Sequence, residues 1–362
     1  MTNLFFSQQF FLYALLAIVA SLLFSPLSIL LAKRFGLVDI PGRSAHKLHA
    51  HPTPLAGGTV IFLSLIFLVT VFGLWQDAFV RALLLSAGVV YLFGLWDDAR
   101  GLSALPKLIG QTLAGFVMIV SGVSVHFIAS MQLPFLPIEV AKVLDIGFTL
   151  FWLIGITNAM NLIDSMDGLA AGISGITFLF FLPVTMASGQ VELTSISVLL
   201  LGICAGIYYF NITPARLFLG DSGAQSLGFI VASIAMAYAP VGLPPATSWF
   251  IPILLLFIPI FDTTLVTVSR MRRKLPFYKA GRDHVYHRLV HIGMSPLRAV
   301  MAIHLVAVLI NCLAFVALSL SPLGANLIFG AVLLAGVLAI VRLENALPTG
   351  ETPAETHNKE SL

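Results

Sequence analysis

Residues 10–31 read FFLYALLAIVASLLFSPLSILL, a run of 22 residues that contains no charged side chain. A helix needs about 20 mostly apolar residues to cross the hydrocarbon core of a bilayer, so this run predicts a membrane span. No basic segment precedes it, it is longer than the apolar core of a signal peptide, and Ala32-Lys33-Arg34 follows it. We therefore expect it to remain in the membrane as an anchor.

The composition of the whole chain agrees with this prediction. Of its 362 residues, 59% are hydrophobic and only 10% are charged, whereas ordinary globular domains are about 25% charged. A water-soluble enzyme, a disordered protein and a nucleic-acid-binding protein are therefore poor fits, and we expect no nucleic acid among the partners. A membrane protein with several spans is the class that remains.

Apolar runs long enough to cross a bilayer recur along the chain and predict an all-α, polytopic fold of about 10–11 transmembrane helices. The predicted spans are residues 10–31, 55–74, 78–96, 108–127, 143–159, 169–187, 195–210, 224–239, 249–268, 299–320 and 325–341. Those at 143–159, 195–210 and 224–239 are short, so we expect them to be tilted, interrupted or re-entrant. We predict a single membrane domain over residues 1–343 and a disordered, polar, cytoplasmic tail over 344–362.

Basic residues sort to one side of the predicted membrane. Alternating sides from the first span places 17 of the 19 Lys and Arg on one side and leaves only Arg81 and Lys142 on the other. By the positive-inside rule the basic side is cytoplasmic, which puts the N-terminus outside. Most acidic residues fall on the same side, although the rule does not require it. We therefore expect a polar site at the cytoplasmic face.

The first inner loop combines basic side chains with a glycine pair. Lys47 stands among three histidines, one of which is His49, and these groups are donors suited to phosphate. Gly57-Gly58 closes the loop and would let chain or ligand approach closely. A basic loop that faces lipid headgroups is the alternative.

The second inner loop begins with a carboxylate pair, Asp97-Asp98, which directly ends an apolar run. Desolvation penalises both charges and each raises the pKa of the other, so a cation or a donor is expected between them. A divalent metal or a substrate proton would fill that role. Neutralisation by Arg100 and Lys107 is the alternative.

The third inner loop carries Asn161, Asp164, Asp167 and Gly168. If residues 161–168 are helical, this spacing places all four on one face, where Gly168 leaves room for a flat ligand. A calcium loop is excluded, because its acidic pattern and its final Glu are both missing.

In the fourth inner loop, Asn211 stands ten residues before Asp221, within the sequence Gly220-Asp221-Ser222-Gly223. Asp221 or Ser222 occupies the position of a helix N-cap. A helix N-terminus flanked by Gly is also an anion site, and Asp221 there would suit a metal that bridges to phosphate.

The fifth inner loop is basic. Placed on a helix, His284, His287, Arg288 and His291 line one face, and Arg282 precedes them. Such a face suits a diphosphate better than a zinc ion, because Arg288 would repel a cation.

These five loops together resemble the polyprenyl-phosphate N-acetylhexosamine-1-phosphate transferases of glycosyltransferase family 4. That family includes the undecaprenyl-phosphate GlcNAc-1-phosphate transferases and, more distantly, the phospho-MurNAc-pentapeptide translocase. The matching motifs are His46-Lys47-x-His49 with Pro54-x-x-Gly57-Gly58, Asp97-Asp98 with Lys107, Asn161-x-x-Asp164-x-x-Asp167-Gly168, and Asn211 with Gly220-Asp221-Ser222-Gly223. One departure lies in the fifth loop, where His284-Val285-Tyr286-His287 replaces the family's His-x-His-His.

The resemblance implies a set of site residues. Asp97, Asp98 and Asp221 would be catalytic, and Asp221 with Asp98 would bind Mg²⁺, with Mn²⁺ as a substitute. The implied substrate-binding residues are Lys47, His49, Lys107, Asn161, Asp164, Asp167, Asn211, Arg282, His284, His287 and Arg288.

The reaction implied by the resemblance is attack by undecaprenyl phosphate on the β-phosphorus of a UDP-N-acetylhexosamine. UMP leaves, and the lipid-diphosphate-linked sugar initiates a cell-surface polysaccharide such as O-antigen, capsule or a wall polymer. The implied setting is a bacterial inner membrane with the site on the cytoplasmic face, and a homodimer is compatible with it.

A cation-coupled transporter is the alternative function. Transporter sites usually lie near the membrane midplane between repeats, whereas these acids crowd one face and the sequence shows no internal symmetry. Asp262, near the inner end of its predicted span, suits both functions.

Overall fold

The protein is described by a computed structural model that covers residues 2–41, 51–130, 135–240, 248–276, 281 and 283–346, with side chains from residue 8 onward. The described helices are α1 Thr2–Arg34, α2 Gly57–Val71, α3 Ala78–Arg100, α4 Ala104–Val120, α5 Phe127–Ser130, α6 Ile138–Ile163, α7 Leu169–Ala187, α8 Val191–Asn211, α9 Gly220–Ala237, α10 Ile251–Leu255, α11 Phe257–Arg272, α12 Val285–His291, α13 Pro296–Ala317 and α14 Pro322–Asn345. Strands β1 Val38–Asp39 and β2 Thr53–Pro54 form a short antiparallel pair.

Seven of the described helices are long and apolar enough to cross a bilayer, namely α1, α3, α6, α7, α8, α13 and α14. The apolar helices α2 and α4 are shorter, and each covers only part of its predicted span. The all-α, polytopic class is confirmed, and the chain is a multi-pass membrane protein.

Local sequence explains where several helices begin. The Asp77 side chain accepts a hydrogen bond from Val80 N (2.9 Å) at the start of α3, which satisfies one of the free amides of the first turn. In α13 and α14 a Ser is followed directly by Pro at the first helical position. Proline favours this position because its fixed φ is helical and its missing N–H would have no partner there.

The helix interruption lies in a different apolar run from the three short runs in which we expected it. The three short runs belong to continuous helices, α6, α8 and α9, because polar flanking residues extend each helix beyond the apolar run. The run at 249–268 is the one that breaks, at Leu256 between α10 and α11. Pro259 explains the break, since in a continuous helix its ring would clash with the carbonyl of Leu255.

The described chain divides into two compact units, and the single membrane domain expected over 1–343 stays a prediction. Unit 1 lies within residues 1–39 and 53–242, and unit 2 within 40–52 and 243–362. In unit 1, α8 packs between α1 and α7, while α9 packs against α3 and α6. In unit 2, α13 contacts α10, α11, α12 and α14.

The last helix corrects the predicted tail. Because α14 continues to Asn345, Glu344 lies inside a helix and is buried rather than in a disordered segment. Residues 347–362, the rest of the predicted tail, lie outside the described residues.

Candidate active site

Five carboxylates come together at one end of unit 1. They are Asp97 and Asp98 from the last turn of α3, Asp164 and Asp167 from the turn after α6, and Asp221 from the first turn of α9. Lys107, at the start of α4, forms an ion pair with Asp97, and its Nζ lies 3.5 Å from Asp221 Oδ2. The predicted convergence of the second, third and fourth loops is therefore observed.

Asp98 caps helix α9 from another helix. Its Oδ1 accepts a hydrogen bond from Asp221 N (2.7 Å), and its Oδ2 accepts one from Ser222 N (3.1 Å). Gly220 has a φ of +70°, and a Cβ there would lie 2.7 Å from Asp98 Oδ2, so only Gly fits. The predicted capping by Asp221 or Ser222 is wrong, because Asp98 already satisfies these amides.

Asp221 keeps its carboxylate accessible. Its Oδ1 accepts a hydrogen bond from Asn161 Nδ2 (2.6 Å), and its side chain is 31% exposed, against 3% for Asp97. The Asp97 carboxylate is turned inward, where its Oδ1 accepts a bond from Leu102 N (2.6 Å). Of these two carboxylates, Asp221 is therefore the one better placed to contact a ligand.

The third loop is a turn rather than the predicted helix over 161–168. Helix α6 ends at Ile163, and Gly168, with a φ of +75°, precedes α7. Burial, followed by the charges of Asp221, Asp98 and Asp167, raises the pKa of Asp164 to about 8. Burial and the neighbouring negative charges therefore both favour the neutral form of Asp164.

Asn211 and Asp167 join the third loop to the fourth. The buried amide of Asn211 accepts a bond from Gly168 N (3.1 Å) and donates one to Leu217 O (2.9 Å). Asp167 Oδ2 accepts bonds from Thr213 Oγ1 (3.2 Å) and Ala215 N (3.3 Å). The structure therefore gives Asn211 a bracing position between the third and fourth loops.

The predicted close approach at Gly57-Gly58 is observed, and the approaching group is the chain itself. Gly57 N donates to Phe218 O (3.0 Å), and a Cβ on Gly58 would lie 2.7 Å from Ser222 Cβ. On the opposite side, a Cβ on Gly94 would lie 2.5 Å from Ser222 Cα. Small residues of α2 and α3 thus let the fourth loop sit between the two helices.

The charged groups of the fifth loop are paired within unit 2. Arg270 holds Asp283 through two bonds, Nε to Oδ2 (2.8 Å) and Nη2 to Oδ1 (3.0 Å). His284 Nδ1 lies 2.7 Å from Asp262 Oδ2, while Asp262 Oδ1 accepts a bond from Val285 N (2.7 Å). The sequence had left Asp262 unassigned, and the structure makes it the partner of His284.

These pairs shift the pKa values of both loop residues. Burial favours the neutral form of each, but the Arg270 guanidinium outweighs it and lowers the pKa of Asp283. Burial is likewise outweighed at His284, where the hydrogen bond and charge of Asp262 raise the pKa. Both pairs therefore favour the charged forms of these groups.

The predicted basic face of the fifth loop is wrong for Arg288. This side chain is only 1% exposed, and its Nη1 bonds Glu344 Oε1 (2.6 Å) and Leu343 O (3.1 Å) of α14. Tyr286 is also buried, whereas His291 is exposed. Arg288 is buried by its contacts with α14, and the spacing of residues within the fifth loop could not predict these contacts. Lys47, His49 and Arg282 lie outside the described residues.

Three amide side chains next to the carboxylates were not assigned from the sequence. Gln111 and Gln225 follow Lys107 and Asp221 by four residues, and Asn158 precedes Asn161 by three. Helical spacing to a site residue was the signal that could have found them.

Among the described residues, no three His, Cys, Asp or Glu side chains form a preformed metal site. A Mg²⁺ ion needs fewer, because it is usually held by one or two carboxylates together with substrate phosphates and water. An accessible Asp221 amid excess negative charge fits that requirement. Asp98 fits it less well, since both its oxygens already accept backbone bonds.

Comparisons with known proteins place this site in a family. The model of glycosyl transferase family 4 matches residues 80–239. The chain is 30% identical over 310 residues to a probable undecaprenyl-phosphate N-acetylglucosaminyl 1-phosphate transferase of Bacillus subtilis (strain 168), covering 83% of each chain. It is 32% identical over 343 residues to a decaprenyl-phosphate N-acetylglucosaminephosphotransferase of Mycobacterium tuberculosis (strain CDC 1551 / Oshkosh), covering 87% of this chain and 84% of the relative.

A more distant similarity links the chain to a phospho-N-acetylmuramoyl-pentapeptide-transferase of Staphylococcus aureus (strain MSSA476). The identity is 31% over 246 residues, which cover 62% of this chain and 75% of the relative. The family match includes all five carboxylates, and the two longer similarities span most of both chains. The chain therefore belongs to glycosyl transferase family 4.

Proposed function

We propose that the protein transfers an N-acetylhexosamine 1-phosphate from a UDP-sugar to undecaprenyl phosphate or a similar polyprenyl phosphate. The single observation that carries the proposal is the carboxylate cluster around Lys107, with an accessible Asp221, in a chain whose relatives bear the names of such transferases. UMP is released, and the product is a sugar linked to the lipid by a diphosphate.

A divalent cation, Mg²⁺ or Mn²⁺, is the cofactor in this proposal. Asp221 would hold it, with Asp98 close behind, and the ion would neutralise the diphosphate and polarise the phosphorus under attack. The acidic cluster supports the proposal, since its five acidic side chains lie close together and Lys107 contacts two of them, Asp97 and Asp221.

The residues of the chain divide the remaining work. An oxygen of the lipid phosphate attacks the β-phosphorus while the bond from that phosphorus to the bridging oxygen of UMP breaks. A phosphate monoester has a second pKa of about 6, so the nucleophile is already ionised and needs little help from a base. Asp97 would act on it through Lys107, with which it forms an ion pair. Lys107 offsets the charge of the two phosphate substrates, and Asn161 holds the Asp221 carboxylate in place.

The proposed setting is a bacterial plasma membrane with the site at the cytoplasmic face and the N-terminus outside. The uneven distribution of Lys and Arg supports this orientation, and UDP-sugars are made in the cytoplasm. The product would serve as the first lipid-linked intermediate of a cell-surface polysaccharide.

Purified protein incubated with undecaprenyl phosphate, Mg²⁺ and a panel of UDP-N-acetylhexosamines tests the proposal through the release of UMP. We expect UMP from at least one sugar and its loss in Asp221→Ala. The matched control is Asp77→Asn, which changes an acidic residue of the α3 N-terminus and keeps a good cap. No UMP from any sugar, or unchanged turnover in Asp221→Ala, would overturn the proposal.

A further inference from the structure

A second polar layer lies one helical turn deeper in unit 1 than the carboxylate cluster. Its members are the amides Gln111, Asn158 and Gln225. Each shares a helix face with a residue of the site, and the pairs are Lys107 and Gln111 on α4, Asn161 and Asn158 on α6, and Asp221 and Gln225 on α9. Three helices that supply the site thus also supply this layer.

The three amides bond directly to one another. Gln111 Nε2 donates to Gln225 Oε1 (3.0 Å) and to Asn158 Oδ1 (3.3 Å). Asn158 Nδ2 donates in return to Gln111 Oε1 (2.7 Å) and also to Ile154 O (2.8 Å). Gln111 therefore links α4 to both α6 and α9.

Burying these three amides costs free energy unless their polar atoms have hydrogen-bonding partners. Gln111 and Gln225 are each 1% exposed, and polar groups in an apolar interior need partners. Gln225 Nε2 has none at hydrogen-bonding distance among the described residues. Asp221 lies one helical turn before Gln225 on the same face of α9. Gln111 holds the acceptor side of Gln225, which leaves the donor side of this amide for the site.

We propose that Gln111, Asn158 and Gln225 are positioning residues that hold Asp221 and Lys107 in the arrangement that a divalent cation and a diphosphate require. Gln225 acts on the Asp221 carboxylate directly, and Gln111 fixes the orientation of Gln225. The inference rests on the proposed function, because it assigns the amide layer to the same site.

A substitution that removes the amide donor of Gln225 but changes the side-chain volume little tests the positioning role by itself. In Gln225→Leu the amide is lost, but an apolar side chain in an apolar interior should leave the protein folded. The matched control is Ser233→Ala, two turns deeper in α9, where a fully buried hydroxyl donates to Phe229 O of its own helix. Both variants remove one buried polar group from the same helix.

The measurement is Mn²⁺ binding to the purified, full-length protein by electron paramagnetic resonance, in the presence of UMP, alongside kcat and the thermal midpoint. We expect Gln225→Leu to bind Mn²⁺ at least about tenfold more weakly and to lose kcat by a similar factor, as is typical for partners of metal ligands. Its midpoint should stay close to that of Ser233→Ala, which should bind Mn²⁺ as the wild type does.

A double variant separates positioning from packing. If Gln225 acts through Asp221, Gln225→Leu should have no further effect on the residual kcat of Asp221→Asn. Should Gln225→Leu fail to fold, Gln111→Leu and Gln225→Met are measured by the same criteria.

Two outcomes would overturn the inference in distinguishable ways. Mn²⁺ affinity and kcat within twofold of the wild type in a folded Gln225 variant would overturn this inference alone. A wild-type protein that binds no Mn²⁺ and releases no UMP would instead overturn the proposed function, and the role of the amide layer with it.

Discussion

Among the described residues, each buried carboxylate of unit 2 faces a cationic partner, whereas in unit 1 five acidic side chains lie close together and Lys107 contacts two of them, Asp97 and Asp221. The pairs of unit 2 are Asp262 with His284, Asp283 with Arg270, and Glu344 with Arg288. Paired charges are balanced within the fold, whereas an excess of negative charge needs a cation from outside the protein. The comparison separates unit 2, whose charges are balanced within the fold, from unit 1, whose acidic cluster is the basis of the cation site proposed above.

The largest expected effect comes from breaking the unit 1 cluster at Asp221. Asp221→Asn keeps an oxygen for Asn161 but loses the charge, so UMP release should fall by roughly 100- to 1,000-fold. The thermal midpoint should not fall, because the substitution relieves repulsion among the carboxylates. Unfolding that accompanies the loss of activity would contradict this reading, and differential scanning fluorimetry distinguishes the two.

Breaking a unit 2 pair should act on stability instead. Glu344→Ala leaves Arg288 buried without its carboxylate, and such a loss costs about 3–5 kcal/mol. The double variant Arg288→Met/Glu344→Leu should recover most of this, because apolar side chains can replace a buried pair. Denaturation of both variants tests the prediction, which fails if Glu344→Ala unfolds like the wild type.

Asp98 belongs to the acidic cluster of unit 1, but its contacts are those of a structural residue. Its substitution therefore tests whether every acidic residue of the cluster serves the ligand. In Asp98→Asn one oxygen remains to accept a bond from the start of α9, and the second is replaced by an amide donor that faces a backbone N–H. We expect a loss of about 1–2 kcal/mol of stability together with a lower kcat. A fall in kcat with no change in thermal midpoint would assign Asp98 to the ligand instead.

The smallest expected effect concerns pH and unit 2. Because Asp262 raises the pKa of His284 above its ordinary value of 6.5, the pair stabilises the fold fully below pH 6.5, and this contribution is lost as the pH rises through the raised pKa. Asp283 and Arg270 also face His284, and both are present in each of the two proteins that the test compares. Thermal midpoints measured from pH 5 to 9 should therefore decline more steeply in the wild type than in Asp262→Asn.

Sequence reasoning located the carboxylate cluster because each of its loops follows or precedes an apolar run. Alternating sides then bring Asp97, Asp164 and Asp221 to the same end. Their bonding partners could not be predicted in the same way. Asp98 meets the start of α9 across 123 positions, and Arg288 meets Leu343 across 55, so no local pattern records either contact.

Local errors had local causes. The helix expected over 161–168 rested on polar spacing alone, and it ignored that Gly168 favours a positive φ, which ends regular helix. Pro259 stands in the middle of the run that breaks at Leu256, but Pro26 and Pro183 stand inside the continuous helices α1 and α7, so proline alone could not have predicted the break. The role of Gln225 was also visible in the sequence, one turn after Asp221, but its buried environment was not.

The Asp98 cap has a consequence for inhibitor chemistry. A helix N-terminus ordinarily attracts phosphate through its free amides, yet in α9 the amides of Asp221 and Ser222 are already bonded to Asp98. A phosphate or sulfate group on an inhibitor would have to displace this carboxylate and would face four more. Compounds that carry a metal-chelating group, or a cation in place of the metal, should therefore bind this pocket better than compounds that simply add negative charge.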